Sequence, residues 1–341
     1  MANWRYVVEK IWENRKNQLL RKFRCRQPGQ RMYATGSHRT DSAALARCAT
    51  AVFLHKSGGC ADTPQHRGFS LVFLSVGVGP IRHPLSRWFL TRSLALAHHR
   101  SYRDEASKQY LEKIGFNTDR DFVYPDVVFG LSQGNLVSGV RAGPRRVVGV
   151  GLKDYASTET KAFREYLDTM AAFVSWLQGH GYGVRLLIGD IQYDSWVIEE
   201  FVHVLKSRNI PRDAPLLTVE PTLTVQELLR QVGETEAVIS ARYHNLVMAL
   251  IQNKPVIALS DHAKLDSLVT DLGLAQYLVP LENLSPEVLI GRFKQLENDV
   301  ERLRPYIKAE LDKYRQAVDA LYETLLTESN AAAAQTAGAP R

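Results

Sequence analysis

At 341 residues, with 45% hydrophobic and 23% charged side chains, the chain has the length of two domains of about 100–200 residues each and the composition of a globular protein. No apolar run approaches the ~20 residues needed to span a bilayer, and none near residue 1 reads as a secretory signal. The formal net charge of +7 is local: residues 1–70 carry 13 Lys/Arg against 4 Asp/Glu, and the remainder carries 30 against 32. That basic front holds no nucleic-acid-binding motif, so nucleic acid is not expected as a partner.

Met1 to about Arg26 has helical spacing, with Trp4, Val8, Ile11, Trp12, Leu19 and Phe23 near one face and Arg/Lys on the other. Two readings stay open: an interfacial helix giving peripheral contact with an anionic membrane, or the surface helix of an incomplete domain. Residues 27–68 sustain neither the helix nor the strand period, short apolar runs such as Ala51–Leu54 notwithstanding. They read as a loop or as an atypical basic segment foreign to the fold that follows. The three cysteines, Cys25, Cys48 and Cys60, have no C-x-x-C spacing and suit a reducing cytoplasm. Cys60 and His66 lack two further ligands, so no metal site is expected.

Phe69–Val76 is a near-continuous apolar run, as a strand buried on both faces requires. Gly77-Val78-Gly79-Pro80 ends it, and Gly77 and Gly79 would let backbone approach a ligand closely. Pro84–Ala97 reads as a helix with Leu85, Phe89, Leu94 and Ala97 inward. Arg103 precedes an acidic helix start, Asp104-Glu105, which suits the helix dipole; that helix runs to Ile114 and stops at Gly115. Asp121–Tyr124 is a short strand followed by Pro125-Asp126. A salt bridge to its acidic neighbours is the plain reading of Arg103, and a turn or cap that of Asp126.

Gly130–Pro144 is Gly/Ser-rich and marks the domain boundary. Beyond it strands and helices alternate: strand Val147–Val150, helix Thr158–Gln178, strand Gly183–Ile188, helix Ser195–Ser207, strand Leu216–Val219 and helix Val225–Val232. The stretch around which the chain is organised follows. Val238–Ser240 ends a buried strand, Tyr243–Gln252 is a helix, Pro255–Leu259 a second buried strand, and Lys264 opens the next helix. In parallel α/β sheets ligands bind beyond the carboxyl ends of strands, and helix N-termini there favour anions. Arg242, His244 and Lys264 all fall just past such ends, which points to a small, highly charged anion. Tyr277–Val279 is a short last strand. Ser285–Leu325 is a long helix with a break expected at Pro305, and residues 327–341 are an Ala-rich tail expected to be disordered.

The pattern predicts a partial N-terminal α/β domain over 69–135 and a C-terminal Rossmann-like domain with C-terminal helices over 145–326. The runs S-Y-R-D-E-A-S-K-Q-Y-L-E-K-I-G-F at 101–116, Y-P-D-V-V-F at 124–129, S-A-R-Y-H-N-L-V-M-A-L at 240–250 and N-K-P-V-I-A-L-S-x-x-x-K at 253–264, with S-V-G-V-G-P at 75–80, resemble the polysaccharide pyruvyl transferase family. The resemblance covers Phe69 to the C-terminal helices. It implies a GT-B-like α/β fold, two Rossmann-type domains facing a cleft, here with an incomplete N-terminal one. It also implies transfer of the pyruvyl group of phosphoenolpyruvate (PEP) to two sugar hydroxyls as a ketal, with PEP as donor substrate and no cofactor.

On that resemblance Arg103, Arg242, His244 and Lys264 form the PEP site, with Gly77, Gly79, Asn245 and Asp126 also against substrate. Arg suits phosphate and carboxylate by its forked donors. His244 serves as general acid and Lys264 stabilises departing phosphate; Asp104, Glu105 and Asp126 are candidates for the base. The acceptor is a saccharide, free or lipid-linked, in the cytoplasm or at the inner face of its membrane. The oligomeric state is open. Residues 1–68 match nothing in the family pattern, which reads as a truncated, fused or frame-shifted front. Two alternatives stand beside the transferase: a nucleotide-sugar glycosyltransferase of the same architecture, and an inactive relative that only binds a partner.

Overall fold

The structure, a computed structural model, describes residues 52–56, 69–131, 146–155, 160–189 and 191–337. They fall into two compact units. One takes the described chain up to Leu131 together with the chain from Lys313 on, and the other runs between them to Asp312.

The second unit is built on a sheet of six strands: β5 (Val147–Gly151), β6 (Gly183–Leu187), β7 (Leu217–Val219), β8 (Ala237–Ser240), β9 (Val256–Ser260) and β10 (Leu278–Pro280). Every pairing is parallel, and the order across the sheet is β10-β9-β8-β5-β6-β7. Counted from its own first strand this is 3-2-1-4-5-6, the doubly wound dinucleotide-fold order, whose direction reverses between β5 and β8. β6, β8 and β9 are buried along their whole length. That is why they read as continuous apolar runs rather than alternating ones.

Parallel strands need crossovers, and helices supply them. α3 (Lys161–Gly179) buries the expected stripe Phe163, Leu167, Met170, Val174 and Leu177, and Thr160 caps it by accepting from the Phe163 amide at 3.2 Å. α4 (Ile191–Ser207) begins one turn before the expected Ser195. α5 (Val225–Gly233) opens on a capping box between Thr224 and Glu227. At its other end the buried Lys254 donates to the Gly233 carbonyl at 3.1 Å, and burial pushes its pKa down. The lysine of N-K-P therefore closes a helix C-terminus, where a cation is favoured. α6 (Tyr243–Ile251) and α7 (Ala263–Asp271) follow β8 and β9.

The first unit holds β1 (Val52–Lys56), β2 (Phe69–Val76), β3 (His99–Tyr102) and β4 (Phe122–Val123), in that order across the sheet. β1 runs antiparallel to β2, and the others are parallel. α1 (Pro84–Ala95) and α2 (Glu105–Lys113) are its helices. Phe73, Val76, Leu90, Leu94, Tyr102 and Leu111 form its main core. Gly115, at φ +82, ends α2 as expected.

The structure differs from the sequence reading in four places. β1 lies inside the segment read as having no regular element; its five residues, V-F-L-H-K, are too short a run to register without its partner β2. On α1 the buried residues are Leu90 and Leu94, whereas Leu85 and Phe89, expected inward, are exposed. The helix has two apolar stripes, and the one that meets Phe73 and Tyr102 is the other one. Pro305 does not break the last helix, α8, which runs Pro286–Ala337 over 52 residues. Pro305 is exposed, so the Glu301 carbonyl it leaves without a ladder donor lies on the watered side. Finally, α8 continues as far as Ala337, into the tail expected to be disordered, because alanine is the strongest helix former.

The end of α8 also belongs to the first unit rather than to the C-terminal domain. There Leu321 and Leu325 pack with Leu74 and Val127, and Tyr314 meets Phe129 at 5.1 Å. The three cysteines, His66 and the amphipathic stretch 1–26 lie outside the described residues.

Candidate functional site

In the second unit the two strands beyond the reversal end in the same construction. The Arg242 amide donates to Ser240 Oγ at 3.0 Å, and the His262 amide donates to Ser260 Oγ at 3.2 Å. Each serine thus turns the chain sharply out of its strand. Arg242 is then the N-cap of α6 and His262 the N-cap of α7. His244 and Lys264 occupy the second position of their helices, where amides lack intrahelical partners and the dipole is positive.

Tyr243 joins the pair. Its ring meets the His244 ring edge-on at 5.7 Å, and the Lys264 ammonium lies 4.6 Å from its centroid. The structure therefore brings His244 and Lys264 together at the Tyr243 ring, past two strand ends, while the Arg242 side chain, at the cap of α6, has a partner of its own. Asn245 is fully buried and donates to Ser240 Oγ at 3.3 Å, so it locks the turn from beneath.

Sequence reasoning missed the partner of Arg242. The guanidinium bonds Asp194 on the first turn of α4, and the other carboxylate oxygen accepts from the Gly189 amide at 3.0 Å. Asp194 is completely buried, while the Arg242 side chain keeps 24% of its surface. Gly189 makes the arrangement possible: a Cβ there would stand 2.8 Å from Arg242 Cβ and 3.1 Å from Asn245 Oδ1. In the sequence Asp194 lies seven residues beyond the end of β6, in the first turn of a helix, and nothing local marks it as the partner of Arg242.

Tyr166 borders the same pair. Burial pushes its phenol well above the ordinary value, Asp194 and Asp261 add to the shift and Arg242 opposes it, so it is a neutral phenol and not a base. Lys153, just past β5, bonds Asp261 at 2.5 Å. Among the described residues Asp154 Oδ1, Arg242 Nε and Asn245 Oδ1 are buried with no hydrogen-bond partner. Such atoms gathered at one sheet end mark a place for ordered water or a ligand.

The first unit has its own anion-binding candidate. The Arg103 guanidinium lies over Gly77, between Asp104 at 3.4 Å and Asp126 at 3.7 Å. Asp126 Oδ1 also accepts from the Val128 amide at 3.1 Å, and Asp104 caps α2 through the Ser107 amide at 2.7 Å. Both carboxylates therefore orient Arg103 and terminate elements, which weakens their case as the base. Ser75, in the left-handed region at φ 49, pins the end of β2 by donating to the Tyr124 carbonyl at 2.8 Å and the Pro125 carbonyl at 2.5 Å. The S-V-G-V-G and Y-P-D runs thereby form one joint around Arg103.

The two glycines expected to act alike do not. A Cβ on Gly77 would overlap the guanidinium, 2.6 Å from Cζ, whereas one on Gly79 meets nothing within 4 Å. Gly77→Ala is expected to leave the thermal midpoint nearly unchanged, because a flexible arginine tip can move. The displaced tip should cost of order 10²-fold in turnover, as small misplacements of binding groups do. Gly79→Ala should match wild type in both measurements, and equal effects from the two would remove the special role of Gly77.

Among the described residues no group of three or more His, Cys, Asp or Glu is placed to hold a metal, and no helix is long and apolar enough to cross a membrane. The fold is GT-B-like, an α/β architecture of Rossmann type. The chain is similar to the α,α-trehalose 6-phosphate synthase of Burkholderia multivorans at a TM-score of 0.52 and 14% identity, covering 78% of this chain and 67% of that one. It is also similar to the UDP-GlcNAc 2-epimerase of Neisseria meningitidis bound to UDP-GlcNAc (TM-score 0.49, 12% identity, 69% of this chain and 63% of that one). A third similar structure is TarM of S. aureus (0.48, 13%, 72% and 46%). The chain thus spans less than two thirds of the length of that epimerase.

Within this class the chain belongs to the polysaccharide pyruvyl transferase family, whose model matches residues 8–262. The match takes in the front that the motif runs alone left outside the resemblance. No curated protein matches the sequence.

Proposed function

We propose that the chain transfers the pyruvyl group of PEP to two hydroxyls of a sugar, forming a cyclic ketal on a polysaccharide or its precursor. The observation that carries this reading is the meeting of His244 and Lys264 at the Tyr243 ring, at two helix N-termini beside the sheet reversal, with Arg242 at the N-cap of the first of them. Three cationic or protonatable groups at amide-rich helix ends match a donor that carries both a phosphate and a carboxylate.

In the proposed reaction one sugar hydroxyl adds to C2 of PEP while C3 takes a proton and becomes the methyl group. The second hydroxyl then displaces phosphate at C2. One hydroxyl proton is balanced by the methyl group and the other leaves with phosphate, so the exchange is redox-neutral. Arg242 grips the anion, its fork aimed by Asp194. His244 supplies the proton to C3 or to the departing phosphate, and Lys264 stabilises the charge that phosphate carries away. The neutral phenol of Tyr166 is a buried donor beneath the site. Arg103, oriented by Asp104 and Asp126, is the first unit's proposed substrate-binding group. PEP places the reaction in the cytoplasm, with a saccharide acceptor, free or lipid-linked.

A nucleotide-sugar glycosyltransferase is the second reading, and it draws on the fold alone. Thermal unfolding with PEP separates the two. Wild type should gain about 2.7 kcal/mol at a hundredfold excess over the dissociation constant, and Arg242→Ala should gain clearly less at the same PEP concentration. No shift from a cooperatively unfolding wild type would sink the donor assignment, and a shift with UDP-sugars alone would favour the second reading.

A further inference from the structure

α1 carries more apolar surface than its own core uses. Leu90 and Leu94 face inward, yet Leu85 is 54% exposed, Trp88 50%, Phe89 47% and Leu96, just past the helix, 73%. At 3.6 residues per turn these four and Arg92 fall within about 100° of one another, a second stripe distinct from the buried one. The ring contacts hold it together: Trp88 meets Phe89 edge-on at 5.0 Å, and the Arg92 guanidinium lies 5.8 Å from the Trp88 centroid. Arg82 and His83 are exposed just before the helix, Arg87 lies on its opposite side with Nε donating to the Ile81 carbonyl at 2.5 Å, and no Asp or Glu occurs between residues 81 and 103.

We propose that α1 is a membrane-docking helix whose Leu85, Trp88, Phe89 and Leu96 enter the interface of an anionic lipid bilayer while Arg82 and Arg92 meet its headgroups. Charge selects this occupant over the two other simple ones. A second copy docking through the same stripe would set these arginines against their own equivalents, because a two-fold contact pairs a patch with itself. Residues 1–70 of this chain carry 13 Lys/Arg against 4 Asp/Glu, so they complement a basic stripe poorly and add to the attraction for anionic lipid instead. Trp and Phe flanked by arginine, with hydrocarbon stems able to lie along the surface, is the make-up of interfacial helices. The inference rests on the surface of the first unit and not on the pyruvyl-transfer reading.

The test is co-sedimentation of the full chain with phosphatidylcholine vesicles, with and without phosphatidylglycerol. Wild type should pellet with the anionic vesicles, and salt should release it. Trp88→Ser with Phe89→Ser should weaken partitioning more than about tenfold, since two aromatic side chains leave the interface. Arg82→Gln with Arg92→Gln should reduce binding to the anionic vesicles. Both variants should keep the wild-type thermal transition, and vesicles with brominated acyl chains should quench wild-type tryptophan fluorescence more than that of Trp88→Phe. Three results would overturn the proposal. Wild type fails to pellet, or the aromatic variant pellets as wild type does, which moves binding to another segment. Alternatively, the aromatic variant loses cooperative unfolding or changes the protein's mass in solution, which makes the stripe an internal or self-association surface.

Discussion

Asp194→Ala is expected to cost the lower part of about 3–5 kcal/mol in folding stability, the range for removing one partner of a buried ion pair. The lower part applies because Arg242 retains 24% exposure and can recruit some water. The cost has two sources. The Gly189 amide loses its acceptor, and the guanidinium keeps its charge without the carboxylate that faced it. Against a whole-domain stability of about 5–15 kcal/mol this is a large fraction, and the urea midpoint should fall visibly.

Arg242→Ala should be harmful for the complementary reason, since it strands a fully buried carboxylate. The double variant should therefore be less damaged than the sum of the singles. Additivity within about 0.5 kcal/mol would mean the two side chains do not act as a pair. The same cycle read on PEP binding asks whether Asp194 acts through Arg242. In the Arg242→Ala background, Asp194→Asn should change PEP affinity no further, whereas a general loosening of α4 would add its own loss.

Much of this was written in the chain and some was not. The parallel strands of the second unit are legible because burial on both faces demands unbroken apolar runs, and V-I-S and P-V-I-A-L provide them. Helix starts show through Thr160, Thr224 and the acidic Asp104. Arg242, His244 and Lys264 are visible because a basic residue just past a buried strand has no packing reason to be there. The family resemblance rests on the same runs, and the family match extends that identification forward to residue 8.

What sequence could not carry is pairing. The order β10-β9-β8-β5-β6-β7 is set by contacts between distant residues, and without it nothing places Asp194 beside Arg242, 48 positions away. Asp194 looks like an ordinary acidic residue in a helix's first turn, and Tyr243 like one more apolar helix position. Both acquire meaning only from their neighbours across the sheet end. The face chosen by α1 failed for a different reason: with apolar residues on two sides, periodicity alone cannot say which stripe meets the core. A stripe that the core leaves uncovered is then information about the surface.

His244→Gln should lower kcat by about 10²–10⁴-fold, the span that a positioned general acid contributes, while PEP affinity stays within a few-fold of wild type. Glutamine keeps a hydrogen-bonding group of similar reach at the second position of α6 and can still rest against Tyr243, but it has no proton to give at neutral pH. A loss confined to turnover would therefore assign His244 to proton transfer, since an interaction lost only in the transition state lowers kcat and kcat/KM together. The pH–rate profile gives an independent check: the limb on which activity declines as an acid deprotonates should be present in wild type and absent in the variant. If instead His244→Gln raised KM with kcat intact and kept the limb, His244 would be one more anion-binding group. The proton would then have to come from elsewhere at the same strand ends, where the neutral phenol of Tyr166, whose charge is coupled to Asp194 and Arg242, is a candidate donor.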